Sequence, residues 1–207
     1  MGKPGSISGT EGYAEEADAL AERYERLTFQ DVHGDVMHLL PAPPASVLDV
    51  GAGTGRDAAA LAARGHKVVV AVEPTAAMRA HGQRLHAAKK IKWLDDSLPD
   101  LDEVMDLERR FDLVLISAVW MHLDPQQRRS AMATVASLTS PGGRIVISLR
   151  HGPVPKGRRM FAVSAEETAA LAAGQGLRIL HNKQRGDFQH REGITWTILV
   201  LERPRDE

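Results

Sequence analysis

The chain of 207 residues contains no cysteine. That absence excludes disulfide bonds, thiolate metal ligands and any mechanism that needs a cysteine nucleophile. Charge is nearly balanced, with 26 basic and 27 acidic residues, so no global field attracts nucleic acid or an anionic membrane. No apolar run approaches the length of a membrane span, and the first ten residues lack the apolar core of a signal peptide. These absences predict a cytoplasmic protein without a membrane segment.

What the chain does have is the size and composition of one globular domain, with 43% apolar and 26% charged residues. We expect the glycine- and serine-rich residues 1–10 to be flexible. Residues 11–207 are then expected to form a single domain.

Apolar strand-like runs alternate with helical stretches along most of the chain. Strands are predicted at 46–50, 67–72, 90–94, 111–116 and 144–149, and helices at 13–27, 32–40, 57–63, 75–87 and 125–138. The residues 140–143, Ser-Pro-Gly-Gly, indicate a stop, and a helix at 164–173 with strands near 177–184 and 194–201 follows. Alternating units of this kind predict a doubly wound, mostly parallel sheet between two helical layers, an α/β/α sandwich. The last two strands suggest an antiparallel hairpin.

The most informative segment, residues 47–57, reads VLDVGAGTGRD. Its apolar half predicts a buried strand, and its glycines permit a tight turn that lets the backbone approach a ligand closely. The alanine-rich helix that follows directs free N–H groups and the positive end of its dipole at that ligand. The nicotinamide dinucleotide fingerprint G-x-G-x-x-G requires a glycine at position 56, where Arg56 stands. The segment therefore predicts a nucleotide-like ligand and disfavours a nicotinamide oxidoreductase.

The pattern Asp49-x-Gly51-x-Gly53-x-Gly55 after an apolar strand resembles motif I of the class I S-adenosylmethionine-dependent methyltransferases. The resemblance covers roughly residues 11–202. It implies S-adenosylmethionine as the cofactor, direct in-line methyl transfer, and a Rossmann-like fold of five parallel strands, a sixth strand, and a seventh inserted antiparallel.

By the same resemblance, Gly51, Ala52, Gly53 and Gly55 lie beside the methionine moiety of the cofactor. Asp49 is expected to face the ammonium group. Two interpretations stand for Arg56, which either reaches the methionine carboxylate or points to solvent.

The next two strands end in carboxylates. Glu73 closes the second strand, at the edge where open α/β sheets bind ligands. The resemblance implies that it accepts the ribose hydroxyls, with Pro74 beside it, while a solvated carboxylate is the alternative. After the third strand, it implies that Asp96, Ser97 and Leu98 contact the adenine. Because Asp95 is an adjacent carboxylate, either Asp95 or Asp96 can be the adenine contact.

The segment from Ser117 to Leu123 resembles the part of the family that lies beside the transferable methyl group. Ser117 is therefore expected at the cofactor. His122 is the candidate general base, because its ordinary pKa of about 6.5 suits proton removal near neutrality. A histidine that only packs there is the alternative, and Trp120 either stacks on the acceptor or fills the core.

The loop 150–160 carries four positive charges and a histidine. We interpret it, together with the N-terminal helix that carries Tyr13, as a lid over the acceptor. Its candidate contacts are Arg150, His151 and Arg158, and its charge favours an anionic or carboxylated acceptor, whereas an exposed solvated loop is the alternative. The remaining histidines show no metal-ligand spacing, so we expect no metal.

The acceptor is expected to be a small molecule with an oxygen, nitrogen or sulfur nucleophile, because the sequence shows no recognition domain beside the expected fold. The residues 117–120, Ser-Ala-Val-Trp, differ from the Asn-Pro-Pro-Tyr type tetrapeptide of enzymes that methylate the exocyclic amines of bases. A methyltransferase of tRNA or protein that needs a partner, and a non-catalytic S-adenosylmethionine-binding module, are the alternatives. The continuation Gly55-Arg56-Asp57 is also similar to the small tellurite- and thiopurine-type detoxification methyltransferases.

Overall fold

The computed structural model describes residues 7–205, and its centre is a seven-stranded sheet of order β3-β2-β1-β4-β5-β7-β6. The strands are β1 Ser46–Val50, β2 Val68–Val72, β3 Lys92–Leu94, β4 Phe111–Ile116, β5 Thr139–His151, β6 Arg178–Gly186 and β7 Thr195–Glu202. Strands β1 to β5 pair in parallel, and β7 pairs antiparallel with both β5 and β6. The Rossmann-like arrangement with an inserted antiparallel strand is confirmed.

Helices cover both faces of this sheet. They are α1 Ala17–Glu25, α2 Phe29–His33, α3 Arg56–Ala63, α4 Ala76–Leu85, α5 Asp102–Met105, α6 Pro125–Leu138 and α7 Ala165–Gly174, with 3-10 helices at Gly34–Leu39 and Trp120–His122. None of the helices in the described part of the chain is long and apolar enough to cross a membrane.

The apolar core forms two layers because successive residues of a strand point to opposite faces of the sheet. In β1, Leu48 and Val50 join a buried cluster that includes Met132 of α6. Val47 belongs to a second buried cluster on the other face, with Leu61 of α3. Both faces of the central strands are therefore apolar, and the polar chemistry lies at the strand ends.

Helices α6 and α7 both begin at side-chain caps. The Asp124 carboxylate accepts hydrogen bonds from the backbone N–H groups of Gln126 and Gln127, and Pro125 occupies the first position of α6. At α7, the Ser164 hydroxyl accepts from the Glu167 N–H at 3.0 Å. Ser164 therefore caps α7, which lies within one residue of the predicted span 164–173.

The N-terminal helix is shorter than the predicted span 13–27, since α1 begins at Ala17. Gly12 has a φ of +77°, a left-handed conformation that does not occur inside an α-helix. Residues 11–16 form turns. Tyr13 therefore lies on a turn before α1 rather than on the helix.

The stretch predicted as a helix at 32–40 divides into α2 and a 3-10 helix. A capping box formed by Thr28 and Asp31 starts α2 earlier, at Phe29. Gly34, a poor helix former, stands at the junction.

The residues 140–143, which were predicted to stop α6 before β5, lie within β5 itself. Strand β5 pairs Thr139 with Phe111 and next pairs Arg144 with Leu113, so the intervening residues form a bulge. Gly142 supplies the left-handed φ of +78° that the bulge requires. Residues 140–143 therefore interrupt the pairing of β5 with β4, and β5 begins before them.

Of the segment 1–10, which the sequence predicts to be flexible, residues 1–6 lie outside the described residues. Residues 7–10 form a turn in which the Thr10 N–H donates to the Ile7 carbonyl at 3.1 Å. That turn packs beside the cavity described next.

Candidate functional site

A cavity of about 280 Å³ opens at the carboxyl edge of the parallel strands. That edge is where open α/β sheets bind their ligands. The predicted cofactor contacts that line the cavity are Asp49, Gly51, Ala52, Gly53, Arg56, Glu73, Pro74, Asp96, Ser97, Leu98 and Ser117. The predicted base and acceptor contacts that line it are His122, Tyr13, Arg150 and Arg158. Residues predicted for cofactor and acceptor thus share one cavity.

The three glycines after β1 all have positive φ, but they serve different needs. A Cβ on Gly51 would overlap Val119, and a Cβ on Gly55 would overlap the Trp93 ring. A Cβ on Gly53 would have no neighbour closer than 3.6 Å. Gly55 lies behind the turn against Trp93 and does not line the cavity, in contrast to its predicted contact with the cofactor. Packing therefore requires Gly51 and Gly55, whereas a Cβ on Gly53 would make ordinary van der Waals contact with Tyr24 and Met78.

Asp49 lies at the floor of this turn and is only 2% exposed. It accepts a hydrogen bond from the Ala58 N–H at 3.1 Å. Burial and the neighbouring carboxylate of Asp57 raise the pKa of Asp49 to about 8. A cation placed beside Asp49 would reverse this shift, because an opposite charge favours the ionised carboxylate.

Asp57 is the buried carboxylate beside Asp49, and it is paired with two basic side chains. Its carboxylate is paired with the His33 ring at 2.8 Å and with the Arg56 Nε at 2.8 Å. Although burial opposes ionisation, these partners hold the pKa of Asp57 well below its usual range. Arg56 thus lines the cavity while paired with Asp57, a position that neither sequence interpretation included.

Glu73 connects the ends of β2 and β1. It is 7% exposed, and its two oxygens accept from the Gly53 N–H at 2.9 Å and from the Thr75 N–H at 2.8 Å. Burial raises its pKa. Each carboxylate oxygen has a second lone pair, so Glu73 can hold the glycine turn and still accept from ligand hydroxyls.

The two carboxylates after β3 have separate positions. Asp95 pairs with Arg79 at 2.7 Å, its side chain is 59% exposed, and it does not line the cavity. Asp96 lines the cavity, and its oxygens accept from the N–H groups of Ser97 and Val104 at 2.8 and 3.0 Å. Of the two carboxylates, Asp96 is the one in reach of a ligand.

His122 lies after β4 and is 6% exposed. Its Nδ1 is 2.8 Å from the Arg159 carbonyl oxygen, which can only accept, so Nδ1 carries the proton. Its Nε2 lies 3.1 Å from the Tyr13 hydroxyl. Burial lowers the pKa of His122, which keeps the ring neutral near pH 7 with Nε2 as a proton acceptor.

Tyr13 is held over His122 from the other side of the cavity. The Arg158 guanidinium lies 4.4 Å from the centre of the Tyr13 ring and pairs with Glu16 at 2.8 Å. Burial and the nearby Tyr24 raise the pKa of Tyr13, so its hydroxyl keeps its proton at neutral pH. The loop after β5 and the N-terminal turn therefore meet above the site.

Two predicted acceptor contacts lie elsewhere. Trp120 is fully buried in the apolar core and does not line the cavity, so its core interpretation is the correct one. The His151 Nε2 is 2.8 Å from the Thr197 hydroxyl, and the residue lines a second pocket, which shares Met121, Arg150 and Met160 with the cavity. The structure thus places Trp120 in the core and His151 outside the cavity, because neighbouring residues on a strand end or a short helix point to different sides.

Replacing Trp120 by alanine is expected to lower the free energy of unfolding by about 3–5 kcal/mol, the usual cost of emptying such a volume in a core. Trp120→Phe is the matched control. Its loss should be much smaller, because the indole Nε1 has no hydrogen-bond partner to lose. Chemical denaturation measures both values, and a Trp120→Ala variant as stable as the parent chain would contradict the core assignment.

No sequence pattern predicted the residues that the β6–β7 connection and the start of β7 bring to the cavity, among them Asp187, Phe188, Arg191 and Trp196. The Asp187 carboxylate accepts from the Trp196 Nε1 at 2.8 Å and from the Arg191 Nη2 at 2.6 Å. The predicted hairpin of the last two strands could have indicated these residues. Because β7 is antiparallel to β5, the connection between β6 and β7 lies at the carboxyl edge of the parallel strands. Within residues 7–205, no group of three acidic or histidine side chains is placed to hold a metal ion.

Comparison with known proteins agrees with this geometry. Residues 47–143 match the model of a family described as a methyltransferase domain. The chain matches no curated protein. A TehB-like S-adenosylmethionine-dependent methyltransferase from Corynebacterium glutamicum superimposes with a TM-score of 0.67 at 18% identity, over 93% of this chain and 99% of that one.

Two further structures have related folds. Magnesium protoporphyrin IX methyltransferase from Synechocystis with bound S-adenosylmethionine gives a TM-score of 0.63 at 17% identity, over 93% of this chain and 80% of that one. The cyclase SpnF gives 0.66 at 13% identity, over 94% of each chain. The fold alone therefore accompanies more than one chemistry.

The fold is Rossmann-like, and a carboxylate-lined cavity lies at the carboxyl edge of its sheet. Residues 47–143, which include the strands that form this edge, are identified as a methyltransferase domain.

Proposed function

We propose that this methyltransferase acts on a small-molecule acceptor that binds in the half of the cavity beyond β4. The observation that supports this most is the continuity of the cavity, which runs from Asp96 past Glu73 and Asp49 to Trp196 of β7. Its far half is partly enclosed by the loop after β5 and by the N-terminal turn. A small acceptor fits an enclosed compartment of this kind better than a folded polymer does.

The residues at the near half suit the parts of S-adenosylmethionine. Asp96 offers carboxylate oxygens to the adenine amine, and Glu73 offers its remaining lone pairs to the ribose hydroxyls. Asp49 offers a buried carboxylate to the ammonium group, and Gly53 lines the cavity between Asp49 and Glu73. When bound, this cofactor supplies a methyl group on a positively charged sulfur and leaves as S-adenosylhomocysteine.

Ser117 and His122 lie where β4 ends, so the acceptor heteroatom meets the methyl group there. The chain positions the two reactants, and good orientation alone is worth about 7–11 kcal/mol in intramolecular reactions. As the new bond to the methyl group forms, the acceptor releases a proton. The Tyr13 hydroxyl takes this proton while passing its own to the His122 Nε2, 3.1 Å away. The lowered pKa of His122 ensures that the ring is unprotonated before this step.

An acceptor screen with a labelled methyl donor tests the proposal. The purified chain is incubated with labelled S-adenosylmethionine and a cell extract separated by size into metabolites, RNA and protein. We expect label in the metabolite fraction. Label in RNA or protein instead would favour a polymer acceptor with a partner, and donor binding without label in any fraction would favour a non-catalytic module.

The proposed activity is compatible with the cytoplasm, where S-adenosylmethionine and small metabolites are available. We therefore propose that the protein works there. Fractionation of cells that express the chain, followed by detection with an antibody, tests this location.

A further inference from the structure

The acceptor half of the cavity has a floor built by two neighbouring antiparallel strands. Ser148 of β5 pairs with Ile198 of β7, and Arg150 pairs with Trp196. All four of these residues line the cavity. Strand β5 lies two strands from β1, which corresponds to about 10 Å from the glycine turn. Arg150 is therefore far enough away to contact an acceptor rather than the methionine end of the cofactor.

Most cations near this floor already have carboxylate partners. Arg191 pairs with Asp187, Arg158 pairs with Glu16, and Arg159 pairs with Asp124 at 3.4 Å. The Asp187 carboxylate is further occupied by the Trp196 indole. The opposite charges in each of these pairs neutralise each other. The hydrogen bond to Asp187 also holds the Trp196 ring in place.

Arg150 differs from these neighbours. Its Nη1 donates to the Pro153 carbonyl at 2.9 Å, and within residues 7–205 no carboxylate lies within ion-pair distance of it. The remaining N–H donors of its guanidinium have no hydrogen-bond partner in that part of the chain. Burial and the nearby Arg191 lower the pKa of Arg150, but a guanidinium stays charged at physiological pH. Within residues 7–205, the guanidinium of Arg150 therefore has no ion pair of its own, although the more distant charge of Asp187 also acts on it.

Apolar side chains surround this charge. Met121, Met160, Phe188, Trp196 and Ile198 line the same part of the cavity. A ligand bound there needs an apolar body and one anionic group. The guanidinium fork matches the two oxygens of a carboxylate, and a single excess charge suits a monoanion better than a phosphate dianion.

We propose that the acceptor is a carboxylate-bearing small molecule and that Arg150 binds this carboxylate as an anchor, while a different heteroatom of the acceptor receives the methyl group. This inference rests on the proposed function, because it concerns the acceptor of the same reaction. It makes Arg150 the residue that selects acidic over neutral acceptors.

Matched pairs of compounds test the anchor by binding, without turnover. The complex of the chain with S-adenosylhomocysteine is titrated with 4-hydroxybenzoate, anthranilate and 3-(4-hydroxyphenyl)propanoate, and with the neutral amide of each. We expect at least one acid to bind about 10- to 150-fold more tightly than its amide, the range expected for a hydrogen-bonded charge. Arg150→Gln should abolish that preference, and Arg150→Lys should restore part of it. Equal binding of acids and amides, no binding of any acid, or an unchanged preference in Arg150→Gln would overturn the proposal.

Lys156→Gln is the control for a general loss of charge. Lys156 is exposed in the same loop and does not line the cavity, so its replacement should leave the preference for acids unchanged. Affinity for S-adenosylhomocysteine and the thermal midpoint, measured for every variant, show whether the fold and the cofactor half are intact.

Turnover gives a second and separate readout. The labelled product from the metabolite fraction is passed over an anion exchanger at pH 8, where we expect it to be retained, and Arg150→Gln should reduce its yield. A neutral labelled ester that releases methanol in base would show that the carboxylate is the methylated group, which would overturn the anchor role. Absence of any labelled metabolite would contradict the proposed function, while the binding titration would still decide the role of Arg150.

Discussion

Replacing His122 by asparagine is expected to lower kcat by about 10²–10⁴-fold, the usual contribution of a positioned general base. The asparagine amide can still donate to the Arg159 carbonyl, which now accepts from the His122 Nδ1 at 2.8 Å. The Nε2 acceptor opposite Tyr13 is lost. Steady-state kinetics with a labelled donor measures the change, and affinity for S-adenosylhomocysteine should stay within about threefold, since the variant removes no predicted cofactor contact.

The pH dependence of the parent chain gives an independent check of this role. Burial lowers the pKa of His122, and only the neutral ring can accept a proton. The value of kcat/KM should therefore fall as the pH drops through a midpoint below about 6.5, the ordinary value for histidine. His122→Asn should lack this acid limb. A variant that retains kcat within threefold, with the acid limb unchanged, would show that His122 only packs at the site.

Tyr13→Phe separates the two members of the pair. The ring and its contact with Arg158 remain in this variant, but the hydroxyl that faces His122 is removed. If the hydroxyl passes the proton, kcat should fall nearly as far as in His122→Asn. A change confined to KM would instead assign Tyr13 to acceptor binding alone.

Replacing Asp49 by asparagine is expected to weaken S-adenosylmethionine binding by about 10- to 100-fold at pH 8, the scale of one lost charge-assisted hydrogen bond. Asparagine has nearly the same shape and keeps an oxygen that can accept from the Ala58 N–H. Stability should therefore change little, while the negative charge that faces the ammonium group disappears. Isothermal calorimetry measures the affinity.

Binding to the parent chain should also depend on pH. Because the pKa of Asp49 is raised to about 8, its carboxyl is mostly protonated at pH 7 and must lose the proton to meet an ammonium group. Affinity should rise at least roughly tenfold from pH 6 to pH 8, pass through a maximum and fall at higher pH, because the α-amino group of the cofactor loses its own charge near pH 8. Titrations in buffers of different ionisation enthalpy should detect about one proton released per bound cofactor near pH 7.

Two other carboxylates provide controls. Glu73→Gln should weaken binding yet keep the rise with pH, because it leaves Asp49 in place. Asp95→Asn should change neither property, since Asp95 is exposed and pairs with Arg79 outside the cavity. Affinity that is independent of pH between 6 and 8, or an Asp49→Asn variant within threefold of the parent chain, would contradict the assigned ammonium contact.

Local patterns in the sequence were sufficient for the fold and for the cofactor edge. Alternating apolar runs and helical stretches predicted the parallel sheet, because periodicity and chain punctuation report on neighbouring residues. The glycine turn after β1 and the carboxylates Glu73 and Asp96 all lie within a few residues of a strand end, and the cavity includes them. The bulge at 140–143 was mispredicted because it depends on pairing with β4. The helix predicted at 32–40 was misplaced, although the capping box of Thr28 and Asp31 that starts α2 is a local pattern.

Other features depended on residues that are far apart in the chain. Tyr13 and His122 are separated by 109 positions, and no local pattern predicts their contact. The raised pKa of Asp49 requires the Asp57 carboxylate to share its buried surroundings. The direction of a side chain at a strand end decides whether it meets the cavity or the core, which is why Trp120 and His151 turned away from the site.

By itself, then, the sequence determined the class of fold and the place of the cofactor edge, since both follow from short-range preferences of the backbone and its side chains. Only the tertiary structure decided the acceptor half of the cavity. The insertion of β7 beside β5 brought Trp196 opposite Arg150 and occupied Asp187 with Trp196 and Arg191, so that Arg150 has no ion pair within residues 7–205. Such a balance of charges results from long-range packing, which a linear pattern does not encode.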